Sequence, residues 1–267
     1  MKYKLGIFGL GVMGTAILSR VVADKKLNKD QIALFDIDRS KYTQFDGGYK
    51  LCQNPQEIAD ECEIVLFSVK PQHFHAITDN VTFSDKNTIL SIMAGVSVDT
   101  LRSNLNYPCP VIRVMPNTPC KLGKGVCGVY FDGVSEENKS AAKDWLSSCG
   151  DVVELQENLF DAVTSVSGSG PAYVYMFIDA MIRGGMEGGL TFEQSKKLTI
   201  ATMIGTAEMV KNTDEDIQIL IERVCSKGGT TIEAVKRYRE NNLDKIIIDG
   251  INACRERSVE LGKGANH

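Results

Sequence analysis

Short apolar runs alternate with amphipathic stretches along the first 155 residues or so. The runs are rich in Val, Ile and Phe and are bounded by Gly, Pro, Asn and Asp, which is typical of strands. The predicted strands are Leu5–Leu10, Gln31–Asp36, Ile64–Val69, Thr88–Met93, Val111–Met115, Val126–Phe131 and Val152–Leu155. The predicted helices between them are Gly14–Ala23, Asn54–Asp60, Asp99–Leu105 and Glu136–Ser148. This alternation indicates a mainly parallel sheet covered on both faces.

The pattern changes after Glu154. All seven prolines lie at or before Pro171, and apolar residues beyond it follow a helical spacing. The predicted helices are 157–166, 171–188, 191–212, 214–226, 230–241 and 243–262. The predicted fold class is therefore α/β, with a Rossmann-like doubly wound sheet in residues 1–157 and an all-helical domain in residues 158–267.

Composition and charge exclude several classes of function. Hydrophobic residues make up 43% of the chain and charged residues 24%, as in ordinary globular enzymes. The net charge of −4 gives no basic surface for nucleic acid. No apolar stretch approaches the roughly 20 residues that a membrane helix needs. Met1-Lys2-Tyr3 leads directly into the first strand, so we expect no signal peptide and a cytoplasmic protein.

Cysteine and histidine do not form a recognisable metal site. The eight cysteines are scattered without a C-x-x-C pair, and the three histidines (His73, His75 and His267) do not complete a ligand set. We therefore expect no bound metal, and reduced, mostly buried thiols.

A dinucleotide fingerprint follows the first strand. In Gly9-Leu10-Gly11-Val12-Met13-Gly14, the first glycine makes a tight turn, the second lets a pyrophosphate approach the backbone, and the third lets helix and strand pack closely. Asp36 ends the second strand and can bond the ribose 2′-hydroxyl of NADH. Arg39 and Lys41 follow it and can offset its repulsion of the NADPH 2′-phosphate. The sequence favours NADH and leaves NADPH open.

Three further loops end predicted strands at the edge where such sheets bind ligands. Ser68-Val69-Lys70-Pro71-Gln72 places Lys70 near the ribose or nicotinamide, or simply at the surface. Met93-Ala94-Gly95 has small side chains that would let a nicotinamide lie against the backbone, although close packing also explains them. Met115-Pro116-Asn117-Thr118-Pro119 is either a wall of the site or an ordinary turn.

Near the C-terminus, Ser226-Lys227-Gly228-Gly229-Thr230-Thr231 joins two predicted helices. The two glycines let the backbone pass close to a ligand. The helix that follows begins with free N–H groups and two threonine hydroxyls, which suits a small carboxylate.

Several motifs stand together in order. They are the glycine loop, Val69-Lys70-Pro71, Arg113-Val114-Met115-Pro116-Asn117-Thr118-Pro119, Ser167-Gly168-Ser169-Gly170-Pro171-Ala172-Tyr173 and Gly228-Gly229-Thr230-Thr231. In this order and spacing the chain resembles the pyrroline-5-carboxylate reductases over essentially its whole length. The resemblance implies that the helical domain is a dimerisation domain, in a homodimer or a higher homo-oligomer. It also implies hydride transfer from NADPH or NADH to the C=N bond of 1-pyrroline-5-carboxylate, giving L-proline.

The resemblance also implies roles for individual residues. Gly228, Gly229, Thr230 and Thr231 would hold the substrate carboxylate, with Thr231 near the ring nitrogen and the nicotinamide. Asp214 matches an acid that faces the substrate amine, although Glu is more usual there. The cofactor-contacting positions matched outside the fingerprint are Asn54, Ser68, Val69, Lys70, Ile92, Met93 and Ala94. Lys227 replaces a usual proline, and either strengthens anion binding or points to solvent.

The side-chain inventory fits imine reduction. A cyclic imine can be protonated in water, and the iminium accepts hydride without a strong general acid, so orientation and electrostatics matter most. Water or Thr231 could bond the ring nitrogen, and Thr231 is the candidate catalytic residue.

Two other functions remain open at this point. A β-hydroxyacid dehydrogenase-like reductase would also suit the glycine loop, but it calls for a catalytic lysine in the helical domain and leaves Gly228–Thr231 unexplained. A dinucleotide-sensing regulator would bind NAD(H) without turnover, but the sequence offers it no partner surface.

Overall fold

The computed structural model describes residues 1–45 and 47–264. Contacts divide the chain into two compact units. The first comprises Met1–Pro171 together with the C-terminal segment that begins at Cys254, and the second comprises Ala172–Ala253.

The first unit is built on one eight-stranded sheet, with the order β3-β2-β1-β4-β5-β6-β7-β8. The strands are β1 Tyr3–Phe8, β2 Ile32–Phe35, β3 Lys50–Leu51, β4 Cys62–Phe67, β5 Thr88–Ser91, β6 Val111–Met115, β7 Gly125–Asp132 and β8 Gly150–Glu154. Strands β1 to β6 are parallel, β7 runs antiparallel to β6, and β8 is parallel to β7. The order reverses between β1 and β4, which confirms the predicted doubly wound α/β fold.

Both faces of the sheet are covered. Along β4, Ile64 and Leu66 belong to one buried cluster, whereas Val65 and Phe67 belong to the other. Alternate side chains of one strand therefore enter two separate cores, as expected for a parallel sheet with helices on both sides. These helices are α1 Val12–Ala23, α2 Gln56–Glu61, α3 Phe74–Thr78, α4 Val98–Ser103 and α5 Glu136–Ser147.

Two of these helices begin at serine caps. Ser97 caps α4 by accepting a hydrogen bond from the backbone N–H of Thr100, and Ser135 caps α5 in the same way from Asn138. A serine oxygen at this position satisfies an N–H that has no partner in the first turn. Both helices therefore begin within a residue or so of their predicted start.

The predicted helix 157–166 is three different short elements. Glu157–Leu159 is a 3-10 turn, α6 spans Phe160–Val163, and Thr164–Gly168 is a π-helical turn. The π-turn is closed by the Ser169 N–H, which donates to the Thr164 carbonyl five residues back at 2.8 Å. Hydrophobic spacing cannot distinguish these forms, because they differ only in backbone hydrogen bonding.

The remaining helices confirm the predicted all-helical C-terminal part. They are α7 Gly170–Glu187, α8 Phe192–Lys211, α9 Ile217–Val224, α10 Thr230–Glu240 and α11 Leu243–Gly264. Helix α8 begins with a capping box in which Thr191 and Gln194 bond each other's backbone N–H groups. Among residues 1–45 and 47–264, we find no helix with the length and apolar character needed to cross a bilayer.

Candidate active site

The glycine loop has the shape that its sequence predicts. Gly9 directly follows the last residue of β1 and has a φ of +94°. A Cβ on Gly9 would lie 2.5 Å from the Ser68 carbonyl oxygen. A Cβ on Gly14 would lie 2.5 Å from Ser68 Oγ. Gly11 differs, because a Cβ there would meet no atom of the described residues within 4 Å. Gly9 and Gly14 are thus required by packing, whereas Gly11 leaves open space at the start of α1.

A cleft of about 360 Å³ lies at the carboxyl edge of the sheet, beside the reversal between β1 and β4. Six of the predicted cofactor residues line it: Gly9, Gly11, Asp36, Ser68, Val69 and Lys70. Three other residues of the fingerprint have different placements. The Leu10 side chain is buried in the core, Met13 packs against that core, and Val12 is exposed.

Asp36 is an internal anchor of this cleft. Its buried carboxylate accepts the Leu10 N–H at 2.7 Å and the Asp38 N–H at 2.9 Å, and it pairs with Lys41 Nζ at 2.8 Å. Burial alone would raise the pKa of Asp36, but the hydrogen bonds from Lys41, Leu10 and Asp38 together lower it. The carboxylate is therefore charged at neutral pH, and Lys41 neutralises it.

The Arg39 side chain is fixed by contacts with backbone carbonyls and an aromatic ring of the first unit. Its guanidinium donates to the Cys52 carbonyl at 2.7 Å and the Gln53 carbonyl at 2.6 Å, and it lies 4.7 Å from the Phe35 ring centroid. It is not part of the cleft lining, whereas Lys41 is. Lys41 is therefore the cation that the structure brings to Asp36.

Asn54 likewise has a local structural role. Its Oδ1 accepts the Glu57 N–H at 3.2 Å, and Glu57 Oε1 accepts the Asn54 N–H at 3.1 Å. This reciprocal pair closes the start of α2, whose first residue is Gln56. Asn54 does not line the cleft, so its contact with a cofactor stays a prediction.

The residues after β5 approach a second cleft, of about 840 Å³. Ile92 is tied to β4 by its N–H, which donates to the Phe67 carbonyl at 3.2 Å, and Met93 is buried. Ala94 lines this second cleft, and Lys70 lines both clefts. Arg257, Glu260 and Leu261 of α11 line it as well. Sequence reasoning missed these three residues, because nothing in the local pattern shows where a C-terminal helix ends in space.

The predicted substrate loop lies in the second unit and opens α10. Gly228 has a φ of +72°, which favours glycine, and Gly229 is the N-cap residue. A Cβ on Gly229 would lie 2.3 Å from Ser226 Oγ, so the loop is built tightly on itself. Thr230 is exposed and Thr231 is half-buried at the first turn. N–H groups at a helix start and two hydroxyls are groups that can bind an anion, although the first turn also carries Glu233, so the substrate role of this turn stays a prediction.

Three consecutive acids precede α9, and two of them are engaged. Asp216 caps α9 by accepting the Gln218 N–H at 2.7 Å. Glu215 forms a two-point ion pair with Arg223, with both oxygen–nitrogen distances at 2.5 Å. Asp214 is exposed, and the structure gives it no hydrogen bond or ion pair within the described residues. Of the three, Asp214 is therefore the carboxylate available to a ligand.

Lys227 is exposed at the start of this loop. Its role toward a carboxylate stays a prediction. Its φ is not positive, so the backbone at this position accepts a lysine without strain.

His73 lines the first cleft and His75 the second, and His267 lies outside the described residues. All eight cysteines are described and carry free thiols. Across the described ranges, no group of three or more His, Cys, Asp or Glu side chains is placed to hold a metal ion.

Two family models match separate parts of the chain. A model described as NADP oxidoreductase coenzyme F420-dependent matches residues 4–95. A model described as pyrroline-5-carboxylate reductase dimerisation matches residues 157–261. The two matches correspond to the glycine-loop half of the sheet and to the helical part.

Relatives match over nearly the whole length. The pyrroline-5-carboxylate reductase of Synechocystis sp. is 37% identical over 267 residues, covering 98% of this chain and 100% of the relative. That of Aquifex aeolicus is 34% identical, covering 98% of each. The crystal structure of Plasmodium falciparum pyrroline carboxylate reductase with NADP bound gives a TM-score of 0.87 at 29% identity, covering 98% of this chain and 99% of that one. The chain therefore belongs to the pyrroline-5-carboxylate reductase family.

Proposed function

We propose that this protein reduces the C=N bond of 1-pyrroline-5-carboxylate with NADPH or NADH and releases L-proline. The observation that carries the proposal is the full-length match to relatives with that activity in their names. The glycine loop at one end of the chain and the Gly228–Thr231 helix start at the other supply the two kinds of binding surface that the reaction needs.

The cofactor residues fit a nicotinamide dinucleotide. Gly11 leaves open space at the N-terminus of α1, and the first turn of this helix contains no acidic residue. The N–H groups there can therefore receive a pyrophosphate without steric or charge repulsion. Asp36, Ser68, Val69 and Lys70 line the cleft beside it. When bound, the dinucleotide supplies the hydride.

The substrate residues fit a small cyclic imino acid. The N–H groups that open α10, with the Thr230 hydroxyl, hold the carboxylate. Asp214 faces the positive charge of the ring nitrogen, and Thr231 or a water molecule bonds that nitrogen. Because an iminium needs no strong acid to accept hydride, the residues orient the ring and stabilise charge.

We also propose a division of labour along the chain. Residues 1–157 bind the dinucleotide, and residues 158–267 form the substrate-binding and dimerisation domain. The family model that begins at residue 157 supports this boundary.

The same domain forms a homodimer or a higher homo-oligomer. Within Ala172–Ala253, Ile182 is the one large apolar side chain that is buried, whereas many others are exposed, among them Tyr175, Met176, Leu198, Ile204, Met209 and Ile246. A large exposed apolar surface of this kind is typical of a subunit interface. Light scattering at micromolar concentration should show at least a dimer, and a clean monomer would contradict the proposal.

We propose a cytoplasmic location. The eight free thiols, six of them buried, support it because reduced cysteines are typical of a reducing compartment. Fractionation of the source cells, with the protein detected by an antibody, tests this directly.

For the cofactor, we propose that the ribose pocket accepts both dinucleotides and that Lys41 permits NADPH. Asp36 alone would repel a 2′-phosphate, but Lys41 neutralises it at 2.8 Å. Lys41→Gln would leave the Asp36 charge uncompensated. We expect the ratio of the NADPH Kd to the NADH Kd to rise about tenfold, measured by fluorescence titration.

The matched control for this prediction is Lys121→Gln. Lys121 is exposed and does not line the cleft, so it changes the net charge equally without touching the pocket. An unchanged cofactor ratio in Lys41→Gln would show that Lys41 is not the determinant.

The experiment that tests the function is the initial rate of NADH and NADPH oxidation, side by side, with 1-pyrroline-5-carboxylate. We expect turnover with the imine, none with succinate semialdehyde, and no reduction of NAD⁺ or NADP⁺ by hydroxyisobutyrate in the reverse direction. Turnover of those substrates alone would favour the hydroxyacid reductase. Tight dinucleotide binding without turnover of any imine would favour the sensor.

A further inference from the structure

The last turns of α11 meet the loop that follows β5 at a contact between two glycines. A Cβ on Gly262 would lie 2.9 Å from the Gly95 carbonyl oxygen, and a Cβ on Gly95 would lie 3.3 Å from the Gly262 nitrogen. Gly95 also has a φ of +75°. The helix backbone therefore rests directly on the backbone of the loop that carries Ile92, Met93 and Ala94.

This end of α11 is fixed by side chains of the same unit. The buried Ser258 donates its hydroxyl to Asp161 Oδ1 of α6 at 2.6 Å. One turn earlier, the Cys254 thiol donates to Ser169 Oγ at 3.3 Å. The helix cannot slide away from Gly95 without breaking these bonds.

The loop is also fixed at both of its ends. On one side the Ile92 N–H bonds the Phe67 carbonyl of β4. On the other, the Val98 N–H donates to Glu157 Oε1 at 2.7 Å, and the same oxygen accepts Arg113 Nη1 at 2.9 Å. Because the buried Arg113 holds Glu157 in place, the Val98 end of the loop resists displacement. A displacement of Gly95 is therefore expected to move Ile92–Ala94 as well, since a close-packed loop cannot take up the change at one residue.

The loop after β5 lies on the side of the sheet where the nicotinamide half of a dinucleotide is expected to bind. In a doubly wound sheet the two halves of a dinucleotide bind on opposite sides of the strand reversal. Asp36, after β2, marks the adenosine side. Ala94, after β5, lies on the other side, in the cleft of about 840 Å³ that Arg257 and Leu261 also line.

We propose that the segment Arg257–Gly262 of α11 forms a wall of the nicotinamide end of the cofactor site, and that Gly262 is a positioning residue for the Ile92–Ala94 loop. The proposal rests on the proposed function as far as the protein binds a nicotinamide dinucleotide. It assigns a role at the cofactor site to a helix that sequence reasoning gave only to the dimerisation domain.

The test compares two probes that differ only at the nicotinamide end: NADPH and 2′-phospho-ADP-ribose. In Gly262→Ala the new methyl group must displace the Gly95 carbonyl. We expect the Kd for NADPH to rise about tenfold and the Kd for 2′-phospho-ADP-ribose to stay within about twofold, both by calorimetry. Gly262→Val should give a larger rise for NADPH.

Gly250→Ala is the matched control, because it lies on the same helix and a Cβ there meets nothing within 4 Å among the described residues. Ser258→Ala adds no bulk and removes the hydrogen bond to Asp161, so it should also weaken NADPH binding selectively and serves as the test if the Gly262 variants fail to fold. Equal weakening of both probes, or no change in either, would overturn the inference. If the unaltered protein binds neither probe, the proposed function fails with it.

Discussion

Gly11→Ala is expected to weaken dinucleotide binding about a hundredfold, or about 2.7 kcal/mol, while the free protein melts almost as before. The new methyl group would meet no atom of the described residues within 4 Å, and the backbone at Gly11 (φ −78°, ψ −176°) is open to alanine. The loss of an N-cap glycine costs at most about 1 kcal/mol. The affected space is the one that a pyrophosphate needs.

Gly14→Ala provides the contrast, because its methyl group would lie 2.5 Å from Ser68 Oγ and 2.6 Å from the Gly9 carbonyl oxygen. We expect this variant to melt at a clearly lower temperature, since a gain of about 1 kcal/mol in helix propensity does not offset a backbone clash. Calorimetric titration with NADPH and thermal melting separate the two effects. Wild-type affinity in Gly11→Ala would show that no pyrophosphate lies against this turn.

The sheet was predictable because its strands carry a strong apolar signal. The exception is β3, which has only two half-buried residues, Lys50 and Leu51, at the edge of the sheet. The predicted first strand, Leu5–Leu10, is displaced by two residues from the observed Tyr3–Phe8. Leu10 is buried by packing rather than by strand pairing, and the positive φ of Gly9 ends the strand before it. Hydrophobicity alone does not distinguish these causes of burial.

The candidate site was predictable where its residues follow one another in the chain, and less so where tertiary contacts decide. The motifs identified the family, which the full-length relatives confirm. Asp36 was predicted from its place after β2, but its partners Leu10 and Lys41 depend on how the loops fold back. The approach of α11 to Gly95 joins residues far apart in the chain, and no local pattern encodes it.

Thr231→Val is expected to lower kcat/KM for 1-pyrroline-5-carboxylate about a hundredfold, with the NADPH Kd unchanged. Valine keeps the shape of threonine and removes the hydroxyl at the first turn of α10. If that hydroxyl bonds the ring nitrogen as hydride arrives, its loss removes a hydrogen bond that is strongest in the transition state. Steady-state kinetics with the imine, together with a separate titration of NADPH, measure both quantities.

Thr231→Ser is the control, because it keeps the hydroxyl and should retain most of the activity. The comparison also decides between the two ring-nitrogen partners that the chemistry allows. A loss in the valine variant alone assigns the contact to the Thr231 hydroxyl. Full turnover in both variants, with unchanged KM, would assign it to water, because an iminium formed in solution accepts hydride without a protein donor. The Gly228–Thr231 turn would then act on the substrate carboxylate alone, through its backbone N–H groups and Thr230.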